Sequence, residues 1–322
     1  MFICKNLSAE VPETNAFSFG LEEYHSEDSK DNLYYGYDSI INLREGNRQV
    51  LINQWSPTEF AQPKDHHGFT PIQHAANALE VYNICPYTVE WLNRQDSPKY
   101  KYIFYPFNKR DIPPVAKKDT DVCYFGGIHS EEHEKMLRVM RNFCYCYMTM
   151  TQGINERTKH YLPWATHKNL SHRDKIVQVS KCKISVCYNV VPLDPPHVQT
   201  IKNYDGWETC KAFSHLDNRI LPQFKSRMHE AAMSRTLNLV YRDPWGISED
   251  YYTPDEDFVY FDSIEDLEDK IDEILKNWKD YEGMVESAYN KALDYTTDKM
   301  FDLIKQGKSW KPKSADPVDQ AI

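Results

Sequence analysis

From Asp121 onward, short apolar runs alternate with longer amphipathic segments. "DVCYFGG" is an apolar strand ending in a glycine pair, "HSEEHEKMLRVMRNF" a helix, and "CYCYMTM" the next strand. "HRDKIVQVSKC", "KISVCYNVV", "QFKSRMHEAAMSR" and "TLNLVYRD" then read as helix, strand, helix and strand, with "DFVYF" as a further short strand. Strands separated by helices predict a parallel sheet with helices on its faces. Ser263 precedes a segment with Ile264, Leu267, Ile271, Ile274 and Leu275 at helical spacing, and Asp266 stands three residues on, so Ser263 is the expected N-cap. Two further helices, "YEGMVESAYNKALDY" and "TDKMFDLIKQ", are expected to bury Met284, Val285, Ala288, Ala292, Met300, Phe301 and Ile304.

The amino-terminal third carries the same rhythm less cleanly. "SIINL", "RQVLINQW", "VYNICPYT" and "YKYIFYPF" are strand candidates, and "PIQHAANALEVY" is the best helix between them. "NKRDIPPVAKKDT", Asn108 to Thr120, joins two prolines to a basic run without periodic apolar residues, which marks a linker. The expected division is therefore one α/β domain over 1–112, a second over 113–310, and a frayed tail over 311–322.

Composition narrows the function classes. With 41% hydrophobic and 13% aromatic residues, 322 residues suffice for two real cores. The start shows no basic segment leading an apolar run, and no window approaches a membrane span, so a soluble cytoplasmic protein that is neither secreted nor membrane-spanning is expected. Eight cysteines fall mostly inside apolar runs, where buried reduced thiols are the expectation. Forty-eight acids against 38 bases argue against phosphate backbones as the main partner.

Two stretches carry chemistry. In "DVCYFGGIHSEEHEKML", a strand runs through Gly126 and Gly127 into a helix, an arrangement that suits an anion; His129 and Ser130 can donate to an oxygen there. The alternative, a purely structural turn, is open. In "LPQFKSRMHEAAMSRTLNLVYRDPW", Met228, Ala231, Ala232 and Met233 form an apolar face, yet Arg227 and Glu230 stand three apart on the first turn. They form either a solvated ion pair or, with the helix beginning near Gln223 or Phe224, a grip on a nucleotide, Arg227 on a diphosphate and Glu230 on ribose hydroxyls. Position favours the grip, because ligands bind at the carboxyl ends of parallel strands.

That stretch, with "FVYFDSIEDLEDKIDEIL" and "YNKALDYTT", resembles the carboxyl-terminal half of GT-B glycosyltransferases, group 1-like enzymes and phage DNA β-glucosyltransferases among them. The resemblance implies two Rossmann-like domains facing a cleft, with the last helices packing back on them. It also implies transfer of a sugar from a UDP- or GDP-linked donor to an acceptor hydroxyl. Arg227 then resembles the diphosphate-binding arginine, Glu230 the ribose-binding carboxylate, and Gly126 and Gly127 the loop beneath the phosphates; Lys225 adds a second cation. Thr166, His167, Asn169 and Leu170 correspond to the nucleobase pocket. Ser171 reads more simply as a helix N-cap with Asp174. The E-x7-E motif of many retaining relatives is absent, since Pro222 occupies the position of its first acid.

An inverting enzyme needs a base to deprotonate the acceptor. Glu59 in "SPTEF" and His66 in "KDHHGF" are the candidates, and the His66–His67 pair lacks further ligands at regular spacing for zinc. No metal and no cofactor are expected beyond the donor, because cations and backbone dipoles can neutralise the leaving diphosphate. A glycan, lipid-linked sugar or protein hydroxyl is a better acceptor than DNA for a chain of net charge −10. A non-catalytic GT-B-like binding or scaffold module, a nucleotide-sugar epimerase and a DNA glucosyltransferase are the alternatives.

Overall fold

The computed structural model describes residues 3–5, 20, 23–26, 28–35, 48–53, 80–95, 100–203 and 206–311. Glu59, His66 and the strand candidate "SIINL" lie outside the described residues, as does the helix candidate "PIQHAANALEVY" up to residue 79. Its last three residues, Glu80, Val81 and Tyr82, are strand, so that helix does not reach them.

The described chain forms two compact units, neither of them continuous in sequence. The first comprises 1–105, 190–223 and 297–322, the second 106–189 and 224–296. The division expected near residue 112 gives each domain one unbroken stretch, whereas here the chain passes between units several times.

In the first unit, β1 (Ile3–Lys5), β2 (Asn32–Tyr35), β3 (Gln49–Asn53), β4 (Glu80–Asn83) and β5 (Tyr100–Tyr102) form a parallel sheet in chain order. Val50, Leu51, Ile52, Val81 and Tyr82 are fully buried, as befits strands covered on both faces. Helix α1 (Pro86–Gln95) follows β4, where the Asn83 side chain accepts from the Cys85 amide at 2.6 Å and turns the chain. Asn93 of α1 then pairs with both the N–H and the C=O of Tyr100.

The carboxyl end of the chain is fastened to this sheet. Ser309 and Trp310 bond the Tyr102 backbone and so cover the β5 edge, which would otherwise offer unpaired peptide groups. Arg48 reaches carbonyls at Ile304 and Lys305, and Lys101 reaches that of Gly307; Glu80 bridges both cations at 2.5 and 2.9 Å. Two cations against one partly buried carboxylate hold the Glu80 pKa at about 2, the Arg48 hydrogen bond being the largest cause.

In the second unit a six-stranded parallel sheet runs in the order β13-β12-β9-β6-β7-β8. Its strands are β6 (Thr120–Phe125), β7 (Tyr145–Thr149), β8 (His167–Lys168), β9 (Cys182–Cys187), β12 (Leu237–Tyr241) and β13 (Phe258–Phe261). The helices are α2 (Glu131–Met140), α3 (Glu156–Tyr161), α4 (His172–Ser180), α6 (Arg227–Met233), α7 (Ile264–Lys276) and α8 (Trp278–Ala292). Helix α2 packs on α7, and α6 packs on both α4 and α8. Period-two alternation sends Cys123 and Phe125 of β6 into one core with Cys146, Met148, Val179, Cys182 and Ala231. Ser263 caps α7 through the Asp266 amide, and Ser171 caps α4 through that of Asp174, as both spacings predict.

Three segments depart from the sequence expectation. "KISVCYNVV" is not one strand: β9 ends at Cys187, and β10 (Val190–Pro192) pairs antiparallel with β11 (Ile220–Pro222) in the first unit. There Leu193, Leu221 and Ile201 of α5 (Pro195–Lys202) share a core with Leu51, Val81 and Tyr100. The predicted linker belongs to the second unit, with Asp111 buried and the Lys118 ammonium bonded to the Ser180 and Ser234 carbonyls, at the ends of α4 and α6. A helix C-terminus attracts a cation, which a count of prolines and lysines does not reveal. Of the final helices, α9 (Thr297–Lys305) lies in the first unit; Met300, Phe301 and Ile304 are buried there as predicted, while Met284 of α8 is only half-buried. Of the seven cysteines from Cys85 to Cys210, all but Cys144 are buried and none forms a disulfide with another.

Candidate functional site

Strand β6 ends in a turn built for close approach. Gly126 has φ +137°, a conformation that side-chain-bearing residues rarely adopt. Its N–H donates to the Met148 carbonyl at 3.0 Å, and the Tyr124 hydroxyl donates to the Gly127 carbonyl at 2.8 Å. Thr158 of α3, fully buried, accepts from the Ile128 amide at 2.8 Å. Asn155 caps α3 through its carbonyl oxygen, and its side-chain amide meets His129 Nδ1 at 2.9 Å. Sequence patterning supplies the glycines but not the Thr158 and Asn155 anchors, which come from about 30 residues downstream.

Arg227 lies against this turn. A Cβ at Gly126 would sit 2.5 Å from its Nη2, and a Cβ at Gly127 would sit 2.6 Å from His129 Nε2. The missing side chains thus leave room for a guanidinium on one side and an imidazole on the other. The guanidinium stacks 4.7 Å from the Tyr124 ring centre and 5.6 Å from that of Phe125. It makes no ion pair with any described carboxylate, Glu230 included. Of the two readings of Arg227 and Glu230, the i, i+3 ion pair is therefore not the one adopted.

Glu230 instead pairs with Lys175 of α4 at 2.9 Å, and the Lys175 ammonium stands 5.2 Å over the Phe125 ring. Glu230 is only 1% exposed. Burial pushes its pKa up, but Lys175 and His172 outweigh this and hold it low, so the carboxylate stays ionised. Lys175 is a site residue that the sequence does not announce, since a lysine on an amphipathic helix has the ordinary look of a solvated one.

Helix α6 begins at Arg227 rather than near Gln223 or Phe224, because the preceding residues are otherwise engaged. Phe224 stacks on Tyr251 with ring centres 3.9 Å apart, and the Lys225 amide donates to the buried Asn189 side chain at 2.9 Å. Asn189, just beyond β9, also donates to Ser248 at 2.8 Å, so it ties two loops together at the carboxyl ends of the strands. Lys225 and Arg227 are thus placed by a buried asparagine and not by a longer helix.

The two histidines of the turn are kept neutral. Burial, then the charges of Lys225 and Arg227, lower the His129 pKa; burial, then Arg227, His129 and Lys225, push that of His133 well below its ordinary value. His133 is packed 4.8 Å from the Tyr188 ring and bonds Ser130 at 2.9 Å, so Ser130 serves as α2 N-cap and histidine partner.

His167 lies on β8, and Thr166, Asn169 and Leu170 lie in the segments that flank it. Thr166 Oγ1 bonds both the N–H and the C=O of Tyr147, and the Asn169 side chain closes on Thr151 with φ +54°. These two side chains shape the edge and have little left to donate. Leu170 packs against the core that holds Phe125, Met148 and Ala231, next to the Arg227 helix. Among the described residues no group of three His, Cys, Asp or Glu is placed to hold a metal ion. No helix among them is long and apolar enough to cross a membrane.

Solved structures with the same architecture decide the fold. A mutant of S. aureus TarM, solved in complex with UDP, α-GlcNAc-glycerol and fondaparinux, matches at a TM-score of 0.56 with 14% identity, over 90% of this chain and 57% of TarM. The fold is GT-B. Sucrose-phosphate synthase of Thermosynechococcus elongatus, another GT-B protein, matches at 0.55 with 12% identity, over 90% of this chain and 76% of its own. Anabaena HepE, solved with UDP and glucose, matches at 0.54 with 9% identity, over 85% of this chain and 77% of HepE. The GT-B chain described here thus spans little more than half the length of TarM. No protein-family model and no curated protein matches its sequence.

Proposed function

We propose that the protein is a glycosyltransferase that moves a sugar from a nucleotide diphosphate sugar to an acceptor hydroxyl. The observation that carries this is Arg227: a guanidinium without an acidic partner among the described residues, held against a two-glycine turn at the carboxyl end of a parallel strand. A half-buried cation without a counter-ion is costly, and a diphosphate supplies the missing charge in bidentate geometry. Lys225 adds a second cation, and His129, neutral in the empty site, an N–H donor across the turn. Together they give the departing diphosphate the compensation that a metal gives elsewhere. The nucleotides recorded in the TarM and HepE structures agree with a UDP-linked donor.

In this proposal the second unit binds the donor, with Glu230 accepting ribose hydroxyls through the carboxylate oxygen not engaged by Lys175, and Thr166 to Leu170 flanking the base. Glu59 and His66 remain the candidates for deprotonating the acceptor. A glycan, lipid-linked sugar or protein hydroxyl is the proposed acceptor class.

Thermal unfolding with and without UDP and GDP tests the donor site: a rise in melting temperature of a few degrees at saturating nucleotide is expected, by mass action. No shift with either nucleotide would refute the proposal. Slow hydrolysis of one nucleotide sugar by the pure protein would separate a transferase from a binding module.

A further inference from the structure

The turn holds two fixed cations and one group whose charge is not fixed. His129 is open to solvent on one side, but its ring packs against the turn and is partly desolvated there, and each ring nitrogen has a defined environment: Nδ1 faces the Asn155 amide at 2.9 Å, and Nε2 lies over Gly127. With the Asn155 nitrogen donating to Nδ1, the neutral ring carries its proton on Nε2, toward the same turn that Arg227 flanks at Gly126.

We propose that His129 takes up a proton when a diphosphate settles over Gly126 and Gly127, so that the site gains a third positive charge only when occupied. This rests on the donor-site reading above. The groups facing His129 are Lys225 and Arg227 from α6 and its leading loop and His133 from α2, 6.2 Å away ring to ring. From α3 the neighbour is the neutral Asn155, and Arg157 on that helix is engaged by Glu134. Among the described residues, Glu131 and Glu134 of α2 are paired with Lys135 and Arg157, and the charges that act on the His129 ring are the cations Lys225 and Arg227, which oppose its protonation. Two negative charges placed between Arg227 and His129 reverse that field and favour the imidazolium. Protonation requires no rearrangement at Nε2, which already points its hydrogen at the turn. At Nδ1 the Asn155 side chain has to turn its nitrogen away, breaking its cap on Thr158 or moving aside; the coupling is therefore partial if that cap holds.

Titration calorimetry with UDP-glucose and GDP-glucose tests this, because these diphosphate diesters do not themselves titrate near neutral pH. Binding is measured at pH 7 in buffers of different ionisation enthalpy. The expected result is net uptake of a fraction of a proton per site, with affinity falling as pH rises, by at most about tenfold per unit. Uptake requires only that the pKa be higher in the occupied site than in the empty one, where burial and the two cations lower it, and it is largest at pH values between the two. His129→Gln, which keeps a donor, should bind with the proton uptake gone. Asn155→Asp preserves an N-cap and places a carboxylate at Nδ1, so His129 should be charged beforehand and uptake should again vanish. Binding with no buffer dependence in the parent protein, or uptake that survives His129→Gln, overturns the proposal alone; failure of both donors to bind overturns the donor-site reading with it.

Discussion

Replacing Gly126 with alanine isolates what the turn does. The residue sits at φ +137°, where a side chain costs about 1–3 kcal/mol of backbone strain. Its new Cβ would lie 2.5 Å from Arg227 Nη2, so the guanidinium must retreat by about 1 Å to reach ordinary van der Waals separation. The hydrogen bond from that guanidinium to a diphosphate is charge-assisted, and forfeiting it costs about 1.5–3 kcal/mol, or about 10- to 150-fold in Kd. Gly153 provides the control: it is also left-handed, at φ +64°, but a Cβ there meets nothing within 4 Å. Gly126→Ala and Gly153→Ala should therefore both lower the melting temperature, by about 2–4 °C per kcal/mol. Only Gly126→Ala should weaken UDP binding measured by calorimetry. A Gly126→Ala protein that binds UDP within about twofold of the parent, or a Gly153→Ala protein that loses affinity equally, would refute the placement of the phosphates over this turn.

Arg227→Met should leave thermal stability unchanged or raised, because no described acid is deprived of a partner, while the UDP-dependent shift in melting temperature disappears. Glu230→Ala, by contrast, strands Lys175 beside an apolar core and should cost about 3 kcal/mol of stability in denaturant unfolding, much of it recovered in the double variant with Lys175→Met. Glu80 gives a pH signature: its carboxyl pKa is lowered to about 2 by Arg48 and Lys101, so its stabilising contribution is complete above the unfolded value near 4.5 and is lost as pH falls toward 2. Chemical denaturation at pH 7 and pH 3 should show that loss in the parent protein and a smaller one in Glu80→Gln.

Particular residues show how far the sequence reaches. The strand–helix rhythm after Asp121, the Ser263 and Ser171 caps and the buried face of α6 follow from local rules, because period and capping chemistry are properties of a few adjacent residues. Gly126, Gly127, Arg227 and Glu230 are visible as a flexible turn, a cation and a carboxylate, and their setting at strand ends points to a ligand. Which charge pairs with which is not visible. Lys175 and Glu230 are 55 positions apart and Asn155 and His129 are 26 apart, and nothing local selects those partners. The crossing of 190–223 into the first unit is hidden for the same reason: "VVP" and "ILP" are too short to declare a hairpin, and only burial against Leu51 and Val81 fixes where they pack. The sequence alone determined the elements, their faces and the kinds of group at the turn; the tertiary structure decided the partners, because burial and charge compensation act between residues that meet only after the chain has folded.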